Sequence, residues 1–291
     1  MSLRRFLPSR PPRAQPDAEL RIGPFALAAP AGHMLTQYQA DHRLYDRLPA
    51  FLAARLGLGA IIDIGANVGD TAAAFACGDP KTIICAEPNQ KFFPYLERNA
   101  ELLRAAGHTV ICEEVAIGPT GRGGGWITTA STARLSQEGE QAITFVSLDD
   151  LSRKHGLFEA GVSLVKCDVD GFDGAALSSG QELISRLRPL LYFENQVTGD
   201  QSASDLEALY AMLGENSYGA FGVFDNFGAP MMRTDSAAAV LDLIAYVRLQ
   251  DDGLSTRSIH YIDVLAAADV SAFEALWSQY GDFARSRGLA P

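Results

Sequence analysis

The residues with the clearest chemical potential lie in the segment IIDIGANVGDT, which runs from Ile61 to Thr71. An apolar run leads there into a glycine turn and then into a helical pattern. This order predicts backbone N–H groups that face a ligand at the carboxyl end of a sheet. A dinucleotide-binding turn needs a glycine where this sequence has Asn67. The turn keeps Gly65 and Gly69, which suits a smaller ligand without a pyrophosphate.

A carboxylate follows at the interval expected for a ribose ligand. Glu87 stands twenty-two residues after Gly65, at the end of the apolar run in ICAEPN. An acid at this place can accept hydrogen bonds from both ribose hydroxyls, whereas the alternative is a solvated loop carboxylate. Because the spacing between the glycine turn and Glu87 is the one expected, we favour the contact with a ribose, which predicts a ligand that contains a nucleoside. S-adenosylmethionine fits, because an acidic pocket also favours its sulfonium charge.

Composition narrows the classes of partner. The formal net charge is −11, and Lys and Arg cluster only in the N-terminal segment, which argues against a nucleic-acid substrate. No apolar run approaches the roughly 20 residues of a membrane helix. The four cysteines lack metal-type spacing and suit a reducing compartment. We therefore expect a cytoplasmic protein that acts on a small-molecule or glycan acceptor, without nucleic acid and without a membrane span.

The elements that position these residues follow an α/β pattern. Apolar runs predict strands at 60–64, 82–86, 110–116, 163–167 and 190–194. Helical periodicity predicts helices at 70–76, 93–106, 174–187 and 204–213. Beyond them we expect a strand at 219–224 that leads into a turn at 225–228, a second strand at 258–264, and helices at 237–249 and 271–285. Such alternation predicts a parallel sheet with helices on both faces.

The periphery divides into three expected regions. Residues 1–20 are basic and proline-rich and predict a disordered leader, and residues 21–57 predict an N-terminal helical lid or cap. Residues 58–291 then form the main domain. The glycine-rich stretch at 118–126 precedes no helix, so a loop or hairpin is expected there rather than a phosphate site.

Several ordered motifs resemble those of the FkbM-type methyltransferases. They are DIGANVGDT, AEPN, EEVAIG, VSLDDL, LVKCDVDGFD and RPLLYFEN, and they span about 60–195. The resemblance implies a Rossmann-like class I methyltransferase with a mostly parallel seven-stranded sheet. It also implies acceptor hydroxyls on sugars or natural products. The family motif K-x-D-x-E-G departs here at one position, because Asp170 replaces the glutamate.

The resemblance also implies individual contacts to the cofactor. The methionine portion is expected beside four residues of the first motif: Asp63, Gly65, Asn67 and Gly69. Glu87 would hold the ribose, and Glu114 or Glu113, with Val115, would edge the adenine. Asp168 would lie next to the transferring methyl group.

Transfer to a hydroxyl requires a group that removes its proton. The candidates are Asp168, Asp170 and His33, the last reaching in from the lid. Three oxygen ligands at neighbouring strand ends, from Asp168, Glu194 and Asn195, could instead hold Mg²⁺. We favour the alternative in which Glu194 lines the acceptor pocket without a metal.

The sequence therefore predicts an S-adenosylmethionine-dependent O-methyltransferase for a hydroxyl of a sugar, glycan or natural product. A nicotinamide-dependent oxidoreductase is disfavoured by Asn67 in the glycine turn. A non-catalytic nucleoside-binding module with this fold is the other alternative, and the intact Gly65, Glu87 and Asp168 argue against it.

Overall fold

Strands and helices alternate along the chain. The computed structural model describes residues 17–120, 125–128, 133–136, 144–249 and 259–287. The strands are β1 (Ala18–Ile22), β2 (Phe25–Ala29), β3 (Ala60–Ile64), β4 (Thr82–Ala86), β5 (Thr109–Glu113), β6 (Ala116–Ile117), β7 (Gly125–Thr128), β8 (Ala133–Ser136), β9 (Phe145–Val146), β10 (Val162–Cys167), β11 (Leu190–Asn195), β12 (Ala220–Asp225), β13 (Pro230–Thr234) and β14 (Ile262–Ala267). The helices are α1 (Leu35–Asp41), α2 (Leu48–Ala53), α3 (Asp70–Phe75), α4 (Phe93–Ala105), α5 (Leu148–Lys154), α6 (Leu157–Ala160), α7 (Asp173–Ser178), α8 (Gln181–Leu187), α9 (Asp200–Glu215), α10 (Ala237–Leu249) and α11 (Val270–Ser286).

The central sheet has the strand order β13-β12-β14-β11-β10-β3-β4-β5. All pairs from β5 to β11 are parallel, whereas β14 is antiparallel to both β11 and β12. Strand β12 therefore runs in the same direction as β11, and the mostly parallel sheet predicted from the sequence is confirmed. The expected count of seven strands was one too few, because β13 adds an antiparallel edge strand after the predicted turn at 225–228.

Both faces of this sheet are covered by helices. Strand β3 is buried at all five positions, which explains why all of its residues except Asp63 are apolar. Ile61 packs into a core cluster with side chains of α2, α3, α4 and α11. Ile62 points the other way, into a cluster with side chains of α5, α7, α8, α9 and α10. The period of two along a strand thus builds both layers of the core.

One predicted helix is divided in two. The sequence favours a single helix at 174–187, but the structure has α7 and α8 with Gly180 between them. A Cβ atom on Gly180 would lie 2.5 Å from Leu148 Cδ2, and one on Gly174 would lie 2.6 Å from the Asp205 backbone. Close packing of α5 and α9 at these two glycines sets the path of the chain.

The N-terminal region differs from the predicted leader and helical cap. Residues 1–16 lie outside the described residues, and residues 18–20 of the expected leader belong to β1, which pairs with β2 in a hairpin. Leu20 and Leu27 are at most 2% exposed and join the core, so the alternation of apolar residues on both sides of Gly23 is the signal that we missed. The helices α1 and α2 lie in the region expected to be helical.

Two further expectations concern peripheral segments. In the glycine-rich region, β7 and β8 pair antiparallel, which is the hairpin alternative, while 121–124 lie outside the described residues. Across the described part of the chain, none of the helices combines the length and the apolar character needed to span a bilayer.

Candidate active site

A cavity of about 440 Å³ opens at the carboxyl ends of the central parallel strands. It lies where the chain changes direction across the sheet, since β4 and β5 extend to one side of β3 and β10 and β11 to the other. Ligands of open α/β sheets bind at such a point. The side chains that line the cavity come from the strand ends, from the segment 33–46, and from the turns at 226–227 and 260–261.

The glycine turn brings two strand ends into contact. Gly65 has φ +75°, and a Cβ atom there would lie 2.0 Å from the Asp168 carbonyl oxygen, so only glycine fits. Asn67 also has a positive φ, +48°, a conformation that asparagine tolerates better than most residues. Gly65 and Asn67 line the cavity. Gly69 does not, and a Cβ atom on it would meet the Leu96 side chain at 3.0 Å.

Glu87 is buried at the end of β4 and faces the cavity. Its Oε2 accepts the backbone N–H of Asn67 and its Oε1 accepts that of Asn89, each at 2.8 Å. Burial raises the pKa of Glu87 to about 7, although these N–H groups and Lys166 act in the opposite direction. Each oxygen keeps an unused lone pair, so the fixed carboxylate can accept two hydroxyl hydrogen bonds, as a ribose would supply.

A buried ion pair lies beneath the cavity. Lys166 and Asp63 are cross-strand neighbours of β10 and β3, with Nζ 3.2 Å from Oδ1. Lys166 Nζ also donates to the Gly65 carbonyl at 3.1 Å and lies 3.6 Å from Asp168 Oδ2. Burial lowers the pKa of Lys166, but the surrounding carboxylates, Asp63 first, outweigh it and raise the pKa well above its ordinary value. Lys166 lines the cavity and Asp63 does not, so the expected contact of Asp63 with a methionine portion stays a prediction.

Three carboxylates face the other half of the cavity, from Asp168, Asp170 and Glu194. The side chain of Asp168 is 54% exposed, and Asp170 has φ +50° in the turn after β10. Glu194 is 5% exposed, and its Oε2 has no hydrogen-bond partner among the described residues. Burial, and then Asp168, raises the pKa of Glu194 well above its usual range. The site thus combines an exposed carboxylate with one that favours its protonated form.

The three proposed Mg²⁺ ligands do not converge. Asn195 follows Glu194 in the same strand, and successive side chains of a strand point to opposite faces. The Asn195 Oδ1 accepts the hydroxyl of Tyr210 at 2.9 Å, and its Nδ2 donates to the Phe193 carbonyl at 3.2 Å. Within the ranges described, no group of three or more His, Cys, Asp or Glu side chains could hold a metal. Asn195 therefore does not fit the proposed set of metal ligands.

An apolar recess adjoins the glycine turn. Its lining includes Val115 and Pro88, together with Phe145, Val169 and Phe172. Val115, which was expected at the edge of the adenine, belongs to this lining. Two other residues expected here lie elsewhere. The Glu113 carboxylate is 2.7 Å from both Lys154 and His155, and Glu114 is exposed and absent from the recess.

The segment 33–46, the predicted lid, contributes side chains to the cavity lining, and its closure over a ligand stays a prediction. His33 Nδ1 accepts the N–H of Leu35 at 3.4 Å, and Nε2 lies 3.5 Å from Asn67 Oδ1. Since an amide oxygen only accepts, Nε2 carries the proton in this arrangement. His42 stacks on Phe227 with ring centroids 3.7 Å apart, which joins the lid to the 225–228 turn.

Sequence reasoning missed several side chains that line the cavity. They are those of Tyr45, Asp46, His260 and Tyr261. Asp46 has φ +54°, and no described residue hydrogen-bonds its carboxylate. Burial, followed by Asp70 and Asp168, raises the pKa of Asp46 to about 7. A non-glycine residue in the left-handed region was the informative feature, and it is visible only in the structure.

Strand order, the glycine turn and the acid at the end of β4 define a class I methyltransferase fold. The family model of the methyltransferase FkbM domain matches residues 63–220, which is more than half of the chain. The chain belongs to the FkbM methyltransferase family, a family of S-adenosylmethionine-dependent enzymes. The resemblance seen in the sequence is thereby confirmed.

The solved structures that match this chain are distant from it in sequence. An FkbM methyltransferase from Methylobacillus flagellatus KT is 17% identical, with 54% of this chain and 37% of that chain covered and a TM-score of 0.38. Magnesium protoporphyrin IX methyltransferase from Synechocystis PCC 6803, with bound SAM, is 14% identical over 80% of this chain and 79% of that chain, at a TM-score of 0.39. The plantazolicin methyltransferase BpumL, in complex with SAH, is 8% identical over 80% of this chain and 88% of that chain, at a TM-score of 0.40. No curated protein matches the sequence significantly.

Proposed function

We propose that this protein is an S-adenosylmethionine-dependent O-methyltransferase for a hydroxyl of a sugar, glycan or natural product. The observation that carries the proposal is the Glu87 carboxylate, held by two backbone N–H groups in the same cavity as Asp168 and Asp170. One end of the cavity thus suits a nucleoside, and the other offers carboxylates to an acceptor.

The residues of the donor half suit the proposed cofactor. Glu87 would hold the ribose, Val115 and Pro88 would contact the adenine, and Gly65 and Asn67 would lie along the methionine portion. When bound, S-adenosylmethionine supplies a methyl group to an oxygen nucleophile. The carboxylates that face the cavity favour a cationic ligand in a poorly solvated site.

The residues of the acceptor half suit proton removal from a hydroxyl. We assign the general base to Asp168, because its carboxylate lines the cavity and is 54% exposed, so that an acceptor hydroxyl can reach it. Asp170 is the second candidate. His33 is the third, although its Nδ1 already accepts the Leu35 N–H and a base at this ring requires that bond to break.

Isothermal titration calorimetry with S-adenosylmethionine, followed by detection of S-adenosylhomocysteine in a screen of hydroxylated acceptors, tests the proposal. Binding and acceptor-dependent turnover support it. Binding without turnover on any hydroxylated acceptor supports the non-catalytic alternative, and absence of binding refutes both.

A further inference from the structure

Three arginines meet on the outer side of the lid. Arg43, Arg47 and Arg287 line an open pocket of about 500 Å³, together with Gln39 and Ser286. No acidic residue belongs to this lining, although the chain as a whole carries a formal charge of −11. The pocket is therefore a local concentration of positive charge on an acidic protein.

The hydrogen bonds of these arginines go to uncharged acceptors. Arg43 Nη1 donates to the Arg287 carbonyl at 3.0 Å, and Arg47 Nη2 donates to Gln39 Oε1 at 3.3 Å. The buried Nε of Arg47 has no partner in the described part of the chain, and none of the three arginines forms a salt bridge there. Burial, and then the charge of Arg287, lowers the pKa of Arg47, although the charge of Asp46 acts in the opposite direction. An anion would relieve this repulsion and satisfy the free donors.

A third space has lining residues in common with both the arginine pocket and the active-site cavity. This space of about 210 Å³ shares Arg47 and Arg287 with the arginine pocket. With the active-site cavity it shares Leu35 and the carboxylates of Asp46 and Asp70. Asp46 and Arg47 are consecutive, so the same short turn contributes to all three spaces. A ligand that occupied this space as well as the cavity would reach the guanidinium groups.

We propose that Arg43, Arg47 and Arg287 form an anion subsite for the acceptor, so that the methylated molecule carries a phosphate or carboxylate group. This proposal rests on the methyl transfer proposed above. Guanidinium groups present paired N–H donors that match the oxygens of both anions. The local positive field would also attract such an acceptor to a surface that otherwise repels anions.

Calorimetric titrations of the full chain at low ionic strength test the subsite. The probes are glucose 6-phosphate, glucuronate and glucose, so that phosphate, carboxylate and neutral sugar are compared. We expect saturable binding of at least one anionic sugar and none of glucose. Arg47→Gln, and separately Arg43→Gln with Arg287→Gln, should weaken that binding about tenfold or more, the scale of a lost charged hydrogen bond.

Arg285→Gln is the matched control. It removes the same charge from the same helix, but Arg285 pairs with Asp282 and does not line the pocket, so binding should stay within about twofold of wild type. Circular dichroism verifies that each variant is folded, and the exposed Arg43 and Arg287 provide a pair whose removal leaves the core intact. Equal binding by wild type and all variants, or no binding of either anion by wild type, overturns the subsite.

Affinity for S-adenosylmethionine shows whether the arginines bind an anionic group of the acceptor or the carboxylate of the cofactor. The proposal expects the same Kd in Arg47→Gln and in wild type. A tenfold or greater loss would mean that the arginines hold the carboxylate of the cofactor, which overturns the acceptor assignment. Wild-type protein that binds glucose 6-phosphate but not S-adenosylmethionine would refute the proposed function and leave the anion subsite standing.

Discussion

Removal of the Glu87 carboxylate is the most direct test of the donor half. In Glu87→Ala, two hydrogen bonds from a ribose to a buried carboxylate are lost, each worth about 1.5–3 kcal/mol. Taking the lower value for both gives about 3 kcal/mol, or roughly two decades in Kd for S-adenosylmethionine. The substitution also leaves the N–H groups of Asn67 and Asn89 without their acceptor, so a thermal melt must accompany the calorimetry.

Two companion variants sharpen this test. Glu87→Gln keeps the volume and one accepting oxygen, and we expect a smaller loss of affinity than for alanine. Glu114→Ala removes an exposed acid that lines neither the cavity nor the apolar recess, and its Kd should match wild type. A folded Glu87→Ala protein that binds S-adenosylmethionine as tightly as wild type would refute the ribose placement.

The pH dependence of binding supplies an independent check on the same carboxylate. The pKa of Glu87 is raised to about 7, and only the ionised form accepts both hydroxyl hydrogen bonds. Protonation therefore competes with the ligand as pH falls. Between pH 8 and pH 6 the Kd should rise by about tenfold in wild type, as the ionised fraction falls. A Glu87→Gln protein with the same pH profile would attribute the effect to another group.

Four other outcomes follow from the acceptor half and the lid. Asp168→Asn should cut turnover by about 10²-fold with an unchanged cofactor Kd, and turnover at the wild-type rate would contradict its role as the base. EDTA should leave wild-type turnover unaffected, because the Asn195 side chain contacts Tyr210 instead of a metal site. A loss of turnover that Mg²⁺ restores would contradict this expectation. Hydrogen exchange in 33–46 should slow when S-adenosylmethionine is added, and unchanged exchange would exclude a lid. Burial raises the pKa of Asp46 from 3.8 to about 7, so the free energy of unfolding falls as pH rises through this range and Asp46 loses its proton. Asp46→Asn should therefore raise the Tm of the ligand-free protein by a few degrees at pH 8 and by less at pH 5. A lowered Tm at both pH values would contradict the raised pKa.

The central strands and the donor half were predictable because their constraints are local. Strands buried on both faces have apolar residues at nearly every position, and β3 and β4 were predicted with their observed bounds. The glycine turn and Glu87 lie at strand ends, so their meeting follows from parallel pairing alone.

The missed features depend on contacts between distant segments. Glu194 and Asn195 are adjacent in sequence, but the alternation of a strand separates their side chains, so adjacency along the chain does not bring together the three oxygen ligands considered for Mg²⁺. Asp46 enters the cavity because the turn between α1 and α2 adopts a left-handed residue there, which the sequence does not mark. The edge strand β13 depends on pairing with β12 after a turn that was itself predicted.

The close approach at Gly228 has a consequence for exchanging parts between family members. A Cβ atom on Gly228 would lie 2.5 Å from the Leu44 carbonyl, so the lid backbone and the 225–228 turn touch without intervening side chains. Neither segment can change its path alone. A chimera that takes 33–46 from a relative with another acceptor must take the 225–228 turn as well, whereas Gly65 and Glu87, which belong to separate strand ends, can stay in place.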